Sequence, residues 1–84
     1  MTNKDFFAAL DALEKGGALP AVLNAANEIA VGAFLDRKIG FYTITESVCE
    51  VCERLWAARN AVSLEEILDY DKAAREVAKS VLGL

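Results

Sequence analysis

Apolar positions recur along this chain at helical spacing, and the stretch from Pro20 to Phe41 is the densest of them. It reads as a helix apolar nearly all round, with Asn24 and Asn27 set inside it. At the helical period Leu23, Val31, Phe34 and Leu35 share a broad face with the two asparagines. Val22, Ala26, Ile29, Ala30 and Ala33 cover the other. Such a helix needs covering on two sides and partners for its amides, and a chain this short has few elements to supply both. One covering layer is therefore expected from outside this sequence.

The remaining pattern is also helical. Thr2-Asn3-Lys4-Asp5 resembles a cap, and Phe6, Leu10 and Leu13 follow at helical spacing until Gly16-Gly17 stops the first helix. Pro20 suits the first turn of the second, which runs to about Arg37 or Lys38, before Gly40. Thr43-Ile-Thr-Glu46 reads as a capping box for a third, with Ile44, Val48, Val51, Cys52 and Leu55 on one face and Glu46, Glu50 and Glu53 on the other. Asn60 offers a left-handed exit. Ser63-Leu-Glu-Glu66 then opens a short helix through Ile67 and Leu68, and a last helix starts near Asp69 or Asp71 with a stripe of Ala74, Val77, Ala78 and Val81. No stretch alternates with period two over strand length. The expected fold is all-α, one domain over residues 1–84, built as a small bundle of four main helices plus one short helix.

Composition narrows the function. Eighty-four residues with a net charge of −4 at pH 7 allow one modest core and no basic stripe, which argues against nucleic-acid binding. Charged residues interrupt the first twenty positions, and no apolar run reaches membrane-spanning length, so neither a secretory segment nor a membrane anchor is expected. A soluble protein of a reducing compartment fits.

Candidate chemistry is sparse. Cys49 and Cys52 have the spacing of a redox or zinc half-site, but they fall in mid-helix and the chain has no histidine and no further cysteine. Small core side chains describe them better. Glu65, Glu66, Asp69 and Asp71 lack the loop spacing and turn glycine of a calcium site and suit capping and helix-dipole roles. Trp56 and Tyr70 suit covering one end of the bundle. Ser47, Ser63 and Ser80 have no base to activate them. No catalytic, metal or cofactor-binding residue emerges, and the chain alone does not read as an enzyme.

The run Gly16-Gly-Ala-Leu-Pro-Ala-Val-Leu-Asn-Ala-Ala-Asn-Glu-Ile-Ala-Val-Gly-Ala-Phe-Leu35, then Ile39-Gly-Phe41, Ser63-Leu-Glu-Glu-Ile-Leu-Asp69 and Ala73-Ala-Arg-Glu-Val-Ala78, resembles in that order the C-terminal helical domain of the 1-deoxy-D-xylulose 5-phosphate reductoisomerase family. The resemblance covers nearly the whole chain from about Phe7. It implies an oxidoreductase of non-mevalonate isoprenoid biosynthesis, which makes 2-C-methyl-D-erythritol 4-phosphate with NADPH and Mg²⁺ or Mn²⁺. The setting implied is cytoplasmic, or a plastid in a plant-type source. The family's nucleotide-binding and catalytic motifs precede the matched region, so no catalytic, metal or NADPH residue carries over to any position here. The implied role is support of the catalytic domain of the same enzyme. By residue pattern alone Asn24, Asn27 and Glu28 read first as satisfied groups that fix packing within the bundle; beside the resemblance, Asn24, Asn27, Glu28, Val31 and Leu35 become the candidate interdomain surface. The alternative is a free-standing interaction module, self-associating through an exposed face.

Overall fold

A computed structural model describes residues 16–84. The first helix expected from the sequence lies outside them. Three main helices and one short 3-10 turn make up the described fold: α1 (Leu19–Leu35), α2 (Phe41–Arg54), the turn Trp56–Asn60, and α3 (Leu64–Leu82). The expected four main helices plus one short helix are thereby corrected. Ser63–Leu68 and the last helix are one continuous element, because nothing between Leu64 and Leu82 breaks it. There is no Gly or Pro in that span, and Ile67, Tyr70, Ala74, Val77, Ala78 and Val81 prolong one inward stripe. Asp69 and Asp71, expected near its start, lie inside it, and Asp71 instead accepts a bond from Arg75 Nε at 3.1 Å.

Each helix end has a local cause. Gly16 and Gly17 both take positive φ, and a Cβ on Gly17 would collide with the backbone of Ala58 and Arg59. That close approach lets the Ala18 amide donate to Ala58 O at 2.8 Å, which ties the start of α1 to the 3-10 turn. Pro20 occupies the first turn, as expected. α1 stops at Leu35, earlier than the sequence indicated: Arg37 turns left-handed at φ 61°, its amide donates to Phe34 O at 2.9 Å, and the Lys38 amide donates to Ala33 O at 2.9 Å. This pair of bonds is the Schellman arrangement, with arginine where glycine is usual.

α2 begins two residues before the expected Thr43 box. Its cap is Gly40 in extended conformation without a side-chain bond, and the Thr43 amide donates to Gly40 O at 3.2 Å from inside the first turn. The Phe41 ring meets Phe34 edge-on at 5.9 Å, so an aromatic contact fixes the start of α2 against the end of α1. Asn60 does not turn left-handed; the chain leaves the 3-10 turn through Ala61 at φ −65°, ψ 137°. Only the Ser63 box forms as a side-chain cap. Its Oγ accepts from the Glu66 amide at 3.1 Å and donates to the Glu66 carboxylate at 3.2 Å.

The core is built mostly from small side chains. Ala18, Ala25, Ala26, Ala30, Ala58, Ala61, Ala74 and Ala78 are buried together with Leu19, Val22, Val48, Val51 and Cys52. Alanines let backbones approach closely, and α1 packs against α2, α3 and the 3-10 turn. The expected core face of α2 is present: Val48, Val51 and Cys52 are buried, with Ile44 and Leu55 half-buried beside them. Trp56 and Tyr70 also pack against this core. Buried Ser47 is satisfied by donating to Ile44 O at 3.0 Å. Among the described residues no helix is long and apolar enough to cross a membrane.

Candidate interaction surface

α1 divides its faces by side-chain size. Leu19, Val22, Ala25, Ala26, Ala30 and Ala33 turn inward, which leaves Asn24, Asn27, Glu28 and Leu35 exposed and Val31 half-buried. The five residues expected to form an interdomain surface therefore lie on the outward side of the most central helix. The amides are not core groups that fix packing, because the alanine face outcompetes them for the interior. Asn24 Nδ2 reaches Glu28 Oε1 at 3.5 Å, and Asn27 lies exposed one turn from Asn24.

Glu28 is held by a neighbouring helix. Its Oε2 pairs with Arg75 Nη2 at 2.8 Å, while Arg75 Nε bonds Asp71 at 3.1 Å. Hydrogen bonds that Arg75 donates to Asp71 and then to Glu28 raise its pKa above the ordinary value. The bridge links α1 to α3 at the surface and sets the direction of Glu28.

Beside this polar side runs a groove of about 470 Å³ between α1 and α2, lined by Pro20, Leu23, Asn24, Asn27, Ile44, Thr45 and Val48. It has no charged lining among the described residues. An apolar floor with two amides suits an uncharged polypeptide surface, since an amide both donates and accepts, as a backbone does. A smaller, more polar groove of about 230 Å³ lies between α2 and α3, with Thr43, Glu46, Ser47, Glu50, Val81 and Leu82 around it.

Several other candidates of the sequence take part in local packing and caps. Burial pushes the Cys52 thiol from its ordinary 9.0 up to about 12, with the nearby Cys49 and Glu53 adding to the shift, so the thiolate that redox or metal chemistry needs is disfavoured. Glu66 serves the cap of α3, and Asp71 serves Arg75. Among the described residues no group of three or more thiols and carboxylates is placed to hold a metal ion. Arg59 donates to Trp56 O at 2.9 Å and lies 5.4 Å over the indole ring, which secures the 3-10 turn.

What the sequence reading missed is the exposure of Phe41 and Tyr42, 67% and 82%, at the corner between α1 and α2, next to the expected surface residue Leu35 at 71%. The signal was present in the adjacent aromatics Phe41 and Tyr42, which cannot both face inward at the start of one helix.

Residues 4–77 match the family model described as the DXP reductoisomerase C-terminal domain. The chain belongs to this family. As a DXP reductoisomerase C-terminal domain it is similar to the 1-deoxy-D-xylulose 5-phosphate reductoisomerase of Chlorobium chlorochromatii, 55% identical over 88% of this chain and 19% of that protein. The protein of the same name from Chlorobaculum tepidum is 52% identical over 89% of the chain and 19% of its own length. That of Citrifermentans bemidjiense is 45% identical over 98% and 22%. The C-terminal domain thus spans about a fifth of the length of the curated relatives it matches. No solved structure matches the chain.

Proposed function

We propose that this chain is the supporting helical domain of a 1-deoxy-D-xylulose 5-phosphate reductoisomerase and docks on the catalytic part of that enzyme through the outward side of α1. The observation that carries the reading is the joint presence of a family match over residues 4–77 and a groove that, among the described residues, has Asn24 and Asn27 and no charged side chain on its lining. Pro20, Leu23 and Ile44 supply apolar area, the amides fix register by pairing with the partner, and Glu28, aimed by Arg75, limits the rim. A face buried in this way stabilises the arrangement mainly through the apolar area, while the amides discriminate against a wrong register.

The chemistry belongs, in this proposal, to the remaining four fifths of the enzyme. NADPH and Mg²⁺ or Mn²⁺ would be bound there, as membership of the family implies; at the Gly16–Gly17 turn before α1 the Ala18 amide is already taken by Ala58 O at 2.8 Å. The domain acts on turnover indirectly, by holding the catalytic part in its working arrangement. The setting proposed is the cytoplasm, or a plastid in a plant-type source.

Sedimentation of the chain with a reductoisomerase lacking its own C-terminal fifth tests the docking. A complex that Asn27→Asp weakens about tenfold, as a charge placed in an uncharged interface should, supports the reading. Absence of a complex, with the chain instead forming dimers, moves the assignment to a self-associating interaction module.

A further inference from the structure

We draw no further inference here: the strongest candidate, the exposed Leu35–Phe41–Tyr42 patch at the corner between α1 and α2, adjoins side chains of both signs in Asp36, Arg37 and Lys38, and nothing in the structure shows what covers it.

Discussion

Single residues in this domain divide between those held for the fold and those left exposed. Gly17 belongs to the first kind: its φ of +70° and the Ala58–Arg59 backbone beneath it exclude any side chain. Gly17→Ala should cost roughly 2 kcal/mol or more in urea unfolding, the sum of left-handed strain and a displaced turn. Arg37 is the reverse case. Arg37→Gly should stabilise the chain by about 0.5–1 kcal/mol in urea unfolding, by relieving the left-handed strain. Asn27 was legible as a polar residue in an apolar helix, but not as an exposed one. Its exposure came from the competing alanine face, whose value depends on how closely α3 approaches. Asn27→Leu should therefore leave chain stability within about 0.5 kcal/mol. Cys52 gives a pH dependence with a definite sign. Below pH 9.0 the thiol is neutral folded and unfolded alike; above it the unfolded chain ionises first, so stability falls as pH rises toward about 12. A denaturation series across that range, with Cys52→Ala as reference, reads the difference.

At the scale of elements, the sequence displayed the apolar stripes more reliably than the boundaries. The inward residues of α2 and the small-residue stripe of α3 were readable because periodicity persists along the whole element. Caps were harder, since Thr43-Ile-Thr-Glu46 and Ser63-Leu-Glu-Glu66 are alike as patterns and only the second closes. Phe41 contacts Phe34 and draws the first box one turn inside its helix, a tertiary effect that no local pattern contains. Ser63→Ala should accordingly cost about 1 kcal/mol, whereas Thr43→Ala should cost less than about 0.5 kcal/mol. Thermal unfolding of the two variants side by side tests the distinction. The merger of the two expected C-terminal helices has a similar origin: Asp69 and Asp71 resemble caps, yet Tyr70 packs on the core and carries the helix through them.

For the whole molecule, the outward side of α1 is proposed as the surface that meets the rest of an enzyme. The expected outside covering layer rested on a helix apolar nearly all round; among the described residues α1 buries its alanine-rich face and leaves Asn24, Asn27, Glu28 and Leu35 exposed. The family came from the Pro20–Leu35 run and the family match, not from periodicity. The measurement that tests this account most directly is NADPH oxidation with 1-deoxy-D-xylulose 5-phosphate and Mg²⁺ by three samples: this chain, a reductoisomerase truncated before its matching domain, and their mixture. Turnover restored only in the mixture is the result predicted. No restoration, with the chain folded and the truncated enzyme otherwise intact, would contradict the supporting role and leave an independent interaction module.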